Sequence, residues 1–263
     1  MIMTIKSFKR FLKNKIPKNI RDFFFSIKKL PKRFQNHNII EDNLKNTKCI
    51  EMGGPTENFF TKLRIYQNIE SLEVVNFSRK NVWENNIKEG YNCNYYGNRI
   101  AFQHILECSN LSRIKSKKYD AVLSSHNLEH VANPIKALNE WNRITKSKGF
   151  LLLILPNKLN TFDIYRPYTT FEHIKKDFEN NVGEDDMTHY NEIIEFTDIS
   201  RDPGVKNKEE HIFYSKRNFE NRRFHHHVFD RSLINKMIEF SNYEIINYLD
   251  LDYDLITFCK KNN

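Results

Sequence analysis

From residue 48 onward, short apolar runs alternate with stretches of helical period. Lys48 to Met52, Leu72 to Phe77, Ile100 to Glu107, Tyr119 to Ser124 and Phe150 to Leu155 read as five successive strands. Apolar runs of this length, separated by helical segments, predict βαβ units and a parallel sheet. Between the fourth and fifth strands Ile135, Leu138, Trp141 and Ile144 recur at helical spacing, with Asn133 placed to cap the helix and Pro134 at its first position. After Pro156 the strand pattern lapses, and closing strands are expected at Tyr243 to Tyr248 and Leu255 to Phe258. The predicted fold is α/β: a Rossmann-like, mostly parallel sheet with helices on both faces and an insertion over about residues 156–230, rich in histidine and acids.

Residues 1–34 follow a different pattern. Phe8, Phe11, Leu12, Ile16, Phe23, Phe24, Phe25 and Ile27 interleave with lysines, and Pro17 and Pro31 divide the segment, which predicts two short amphipathic basic helices. The segment carries eleven Lys/Arg against Asp22 alone, a charge of +10, whereas the remainder of the chain sums to −1. A near-neutral body disfavours a nucleic-acid enzyme, which needs a basic working face. Residues 1–47 are thus expected to form a basic extension to a domain spanning 48–263, either packed on that domain or laid against an anionic membrane surface. Lysines interrupt every apolar stretch that could serve a signal peptide, and no run approaches the roughly 20 residues of a membrane span. Cys49, Cys93, Cys108 and Cys259 lie far apart without a CxxC pair, so they read as reduced thiols of a cytoplasmic protein, with the extension allowing peripheral contact at the inner face of the membrane.

Three stretches can carry chemistry. The first strand runs into Glu51-Met52-Gly53-Gly54-Pro55-Thr56, where the glycines either let the backbone approach a ligand or simply make a tight turn. The third strand ends at Glu107-Cys108, where a carboxylate can accept hydrogen bonds from a ligand amine in the crevice or stand as a solvated strand-end acid. The fourth strand ends at Ser124-Ser125-His126-Asn127-Leu128-Glu129-His130, and a helical turn there would put His126 and His130 on one face. A histidine at that place can take a proton near neutral pH, although either ring could instead be a satisfied structural one. The insertion adds Asp163, Arg166, His173, Asp177, Glu184, Asp185, Asp186, His189 and the run His225-His226-His227. Such a set suits a divalent metal, yet its spacing matches no fixed metal motif, so a metal-free site with polar substrate contacts is expected. In the triple-histidine run, strand alternation would turn His226 away from His225 and His227.

The stretches IEMGGPT (50–56), VNFSRKNVWE (75–84), ECSNL (107–111), YDAVLSSHNLEHVANPIKALNEWNRI (119–144), LPNKLNTFDIYRPYTTFEHIKKDFENNVGEDDMTHYNEI (155–193) and NRRFHHHVFD (221–230) give the chain a family resemblance. It resembles the class I S-adenosylmethionine-dependent methyltransferases, and among them bacterial members of surface-polysaccharide biosynthesis. The resemblance implies S-adenosylmethionine as cofactor. It places Glu51, Gly53 and Gly54 on the cofactor loop, Glu107 with Cys108 on the adenine side, and Ser125 and His126 after strand four. The loop departs from the common Gly-x-Gly, and Asn76 stands where most members carry a ribose-binding acid. The implied activity is O-methylation of a small polar acceptor: a sugar, sugar nucleotide or phosphorylated glycan precursor. His126 is then the first choice of general base, His189 and His226 are further catalytic candidates, and Arg166, His225 and His227 are expected to contact the acceptor. Two rival readings remain: a metal-assisted methyltransferase acting on a phosphate-like group, and a non-catalytic cofactor-binding scaffold. The density of ionisable residues from 163 to 230 argues against the scaffold.

Overall fold

The strands gather into one eight-stranded sheet of order β3-β4-β2-β1-β5-β6-β8-β7. They are β1 (Lys48–Met52), β2 (Ser71–Asn76), β3 (Gly90–Tyr96), β4 (Arg99–Ile105), β5 (Tyr119–Ser125), β6 (Thr145–Pro156), β7 (Tyr243–Asp250) and β8 (Asp254–Lys261). The structure is a computed structural model and describes residues 37–81 and 86–263. Pairing is parallel from β4 through β2, β1 and β5 to β6, and β8 runs antiparallel between β6 and β7. The chain builds outward from β1 on one side and returns to the other side of β1 with β5. Such a reversal opens a crevice beyond the strands' carboxyl ends.

Alternation across the pleat supplies two cores. Val122 of β5 and Leu151, Leu153 and Leu155 of β6 join one apolar cluster; Ala121, Leu123, Leu152 and Ile154 join the other. On the described chain the helices are α1 (Asn38–Leu44), α2 (Pro134–Ile144), α3 (Phe171–Glu179), α4 (Tyr190–Phe196), α5 (Lys208–Ser215), α6 (Asn218–Asn221) and α7 (Arg231–Phe240), with a wider helical turn over Asn58–Lys62. Helices α2 and α7 cover the first face through Ile135, Leu138, Trp141, Leu233, Ile234 and Met237, and α1 and the 58–62 turn cover the second through Ile40, Leu44 and Phe59. The cap of α2 forms as its sequence predicts, with Asn133 Oδ1 accepting from Lys136 N at 3.0 Å.

Some expectations need correction. Strand β3 carries no strand signal in the sequence, because GYNCNYY is polar and largely exposed and forms an edge hairpin with β4. Edge strands of that composition lack the apolar run by which buried strands announce themselves. Residues 38–44, within the expected extension, form α1, whose Ile40 and Leu44 are fully buried in the second core. Strand β6 starts at Thr145, ahead of the expected Phe150. The basic helices anticipated over residues 1–34 lie outside the described residues. Among the described residues no helix is long and apolar enough to cross a membrane.

Candidate active site

A cleft of about 360 Å³ opens beyond the carboxyl ends of β1, β2, β4 and β5. Gly53, Gly54, Asn76, Glu107, Cys108, Ser125 and His126 all line it, so seven residues singled out from four separate stretches meet on one surface. Gly53 adopts φ +74°, and a Cβ there would stand 2.7 Å from Asn127 Nδ2. That conformation favours glycine, and the missing side chain lets Asn127 pack against the backbone at the cleft. A Cβ on Gly54 would meet Glu51 Cδ at 2.1 Å.

Glu51 is placed differently from its neighbours in the motif. It is fully buried beneath the loop, where its carboxyl accepts from Tyr66 Oη at 2.6 Å and from Thr56 N at 3.1 Å. Burial pushes its pKa up to about 8, against the opposing hydrogen bonds from Tyr66 and Thr56. The side chain therefore shapes the loop from below and is not among the residues lining the cleft.

His126 stands at the mouth with φ +49°, before the short helical turn Leu128–His130, so it does not share a helix face with His130 as expected. Both rings nevertheless line the cleft. His126 Nε2 lies 2.8 Å from Asp254 Oδ1, and Asp254 in turn binds Lys62 Nζ at 2.8 Å. Desolvation opposes the charged imidazole, but the Asp254 hydrogen bond and the charges of Glu129 and Asp254 outweigh it, and the pKa of His126 is raised. With Nε2–H donating to the carboxylate, Nδ1 carries the lone pair and lies 3.9 Å from Glu129 Oε1. Glu129 is fully buried, and neither of its carboxyl oxygens has a hydrogen-bond partner. Burial raises its pKa, opposed by the charges of His126 and His225. Asp254 escaped the sequence reading because it lies 128 residues from His126 and in no motif; Glu129 was visible inside the strand-four motif but gave no signal of its burial.

The insertion closes over the cleft through Arg222. Its guanidinium binds Glu107 Oε1 at 2.7 Å and Glu184 Oε2 at 2.8 Å, so the acid expected to meet a ligand amine is held by a side chain 115 residues away. Burial raises the pKa of Glu107, offset by the Arg222 charge and reinforced by Glu184.

Arg166, only 1% exposed, is the hub of the insertion. It donates to Asp163 Oδ1 and Glu192 Oε1, both at 2.9 Å, to His225 O at 2.7 Å and to His226 O at 3.4 Å. The three consecutive histidines do not follow strand alternation, because residues 222–230 form an irregular segment. His225 Nδ1 meets Asp163 Oδ2 at 2.5 Å, and its ring packs 4.8 Å from that of His130. Burial works against the charged form of Asp163, but His225 and Arg166 outweigh it and hold its carboxyl down at about 2. His226, fully buried, faces Asn218 Nδ2 at 3.1 Å. His227 turns instead toward His173 and His189, whose rings lie 5.8 Å and 5.3 Å from its own. Burial, together with the charges of His226, His173 and Arg166, pulls the pKa of His189 down to about 4. Two groups of side chains could each hold an ion: Glu129 with His130 and His225, and His173 with Asp177, His189 and His227.

A family model described as a methyltransferase domain matches residues 8–248. The chain belongs to that family. No curated protein matches the methyltransferase by sequence. Among solved structures it is similar to an S-adenosylmethionine-dependent methyltransferase of Methanosarcina mazei, at 12% identity over 88% of this chain and 99% of that one, with a TM-score of 0.48. It is also similar to one from Mesorhizobium loti, at 7% identity over 86% and 95% of the two chains with a TM-score of 0.49. A third, from Aquifex aeolicus, is 10% identical over 86% and 89% with a TM-score of 0.43. The family model carries the assignment of the methyltransferase, and the strand order gives its fold.

Proposed function

We propose that the methyltransferase draws on S-adenosylmethionine and methylates a hydroxyl oxygen of a small polar acceptor. The observation that supports this best is the convergence of Gly53, Gly54, Asn76, Glu107, Cys108, Ser125 and His126 on the cleft at the sheet's reversal point. The left-handed Gly53, whose Cβ would collide with Asn127, keeps the loop backbone and Asn127 together on the cleft wall, where a ligand can meet both. Gly53 and Gly54 would border the amino-acid end of the cofactor, Asn76 its ribose hydroxyls, and Glu107 and Cys108 its adenine. When bound, the cofactor supplies an electrophilic methyl carbon.

The chain's own part is to align an acceptor oxygen and take its proton. Alignment converts an encounter into a step within one complex, and much of the acceleration comes from it. His126 is the base in this reading: Asp254 orients the ring through Nε2, which leaves Nδ1 to receive the hydroxyl proton. His189, His226, Arg166, His225 and His227 then act behind the acceptor, building its enclosure through the contacts described above. A polar lining of His126, His130, Glu184 and Arg222 suits a hydroxyl-rich acceptor: a sugar, sugar nucleotide or phosphorylated glycan precursor of the kind surface-polysaccharide synthesis uses. The strongly basic residues 1–34 would hold the enzyme at an anionic membrane surface, where each cation contributes about 1 kcal/mol.

Calorimetry with S-adenosylhomocysteine tests the reading. The full chain is expected to bind it, and Gly53→Leu to weaken binding because a side chain there strains the left-handed backbone and pushes Asn127 into the cleft. No binding by the unmodified chain overturns the proposal.

A further inference from the structure

His173 and Asp177 stand one turn apart on α3, so their side chains project from the same face. His189 precedes the first residue of α4, and His227 lies in the irregular segment before α7. The fold brings these three pieces of chain together so that one ligand atom from each residue lies within 4.8 Å of all the others. His173 Nε2 is 3.1 Å from His189 Nε2 and 3.2 Å from Asp177 Oδ2, and the His227 ring packs 5.3 Å from that of His189. Around a tetrahedral zinc ion, ligand atoms about 2.0–2.1 Å from the metal stand about 3.4 Å from one another, and the two spacings at His173, 3.1 Å and 3.2 Å, lie close to that.

His227 Nδ1 is buried without a hydrogen-bond partner, and the buried Asp177 Oδ2 is met only by histidine nitrogens, His173 Nε2 at 3.2 Å and His227 Nε2 at 3.9 Å. A buried carboxylate among neutral rings is costly, and a cation removes the cost. Outer contacts flank two of the ligands: His227 Nε2 faces Ala132 O at 3.2 Å, which leaves Nδ1 for an ion, and Glu192 Oε2 stands 4.0 Å from His189 Nδ1, the nitrogen that does not face His173. Such second contacts orient metal-binding histidines in known sites.

We propose that the insertion holds one divalent transition-metal ion of the zinc type between His173, Asp177, His189 and His227. Four protein ligands saturate a tetrahedral ion, so its work is to join chain segments and not to activate an acceptor. The segments it joins grip the loop after β5: Asn133 Nδ2 donates to Asp177 O at 3.0 Å, and His227 contacts Ala132 O. The adjoining His130 and Val131 form part of the cleft wall. The ion thereby fixes that wall from behind. This site stands apart from the proposed acceptor chemistry, so it can be tested without an assay of methyl transfer.

The experiment is a titration of the untagged full chain, freed of metal, with Co(II) and with Zn(II). One equivalent of Co(II) should give the intense visible bands of a tetrahedral centre, Zn(II) should displace it, and Zn(II) should raise the unfolding temperature. Asp177→Asn and the more exposed His173→Gln should each weaken binding by at least the 10–100-fold, roughly, that loss of an outer-shell partner costs. Circular dichroism identifies a variant that fails to fold, and the other then decides. Absence of tetrahedral bands overturns the proposal. So does undiminished binding in the folded variants, or binding that His225→Gln abolishes while they keep it, which would move the ion to Glu129, His130 and His225.

Discussion

The sheet end and the insertion both line the cleft, but they are held together by different means. On the sheet side, Gly53, Asn76, Ser125 and their neighbours sit where strands end, and hydrogen bonds between adjacent strands fix them: Gly53 N donates to Val75 O at 2.9 Å and His126 N to Ile154 O at 2.9 Å. On the insertion side, buried ionic contacts do this work, with Arg166 tied to Asp163, Glu192, His225 and His226 and Arg222 tied to Glu107 and Glu184. A sheet positions a site through backbone regularity and tolerates side-chain change; an ion network positions it through a few groups, each of which must be paired. Substitutions of cleft-lining residues on the sheet side should therefore alter chemistry, and substitutions in the insertion's ion network should alter stability.

The largest effect is expected from His126→Ala: a fall in turnover of about 10²–10⁴-fold with cofactor affinity nearly intact, measured by initial rates and calorimetry. Full turnover at neutral pH would remove the base from the sheet side and weaken the contrast. Next comes Arg166→Ala, which leaves buried Asp163 without its guanidinium partner and should cost about 3–5 kcal/mol in denaturant unfolding. A stable Arg166→Ala that loses only turnover would reverse the comparison and make this arginine an acceptor contact after all.

Two smaller effects sharpen it through pH. Because the base form of His126 is needed and its pKa is raised, activity should rise with pH on the alkaline side of the ordinary histidine value of about 6.5. Asp254→Asn removes the main raising contact, so the limb of the rate profile should move toward acid; an unmoved limb would show that this carboxylate does not govern the base. Glu51 concerns stability. Its folded pKa of about 8 exceeds the unfolded value, so the folded state binds the extra proton. Its contribution is fully present below the ordinary carboxylate range and is lost as pH rises through about 8. Glu51→Gln should flatten that loss in unfolding midpoints measured across the same span.

The sequence by itself determined the parallel strands, the capped helix α2 and the cleft residues at strand ends, because each depends on neighbours in the chain: pleat alternation, helical period, and glycine at a turn. It did not show β3, whose polar residues pair only at an edge, or α1, whose burial depends on the far face of the sheet. Nor did it show what the histidines do. His225, His226 and His227 are adjacent in the chain yet face Asp163, Asn218 and His173 with His189, and His126 is oriented by an aspartate 128 residues away. Local pattern reports which backbone a segment adopts. Which ionisable groups pair is decided by burial: a charged or polar side chain removed from water must find its partner in space, and only the tertiary structure sets which partners are within reach.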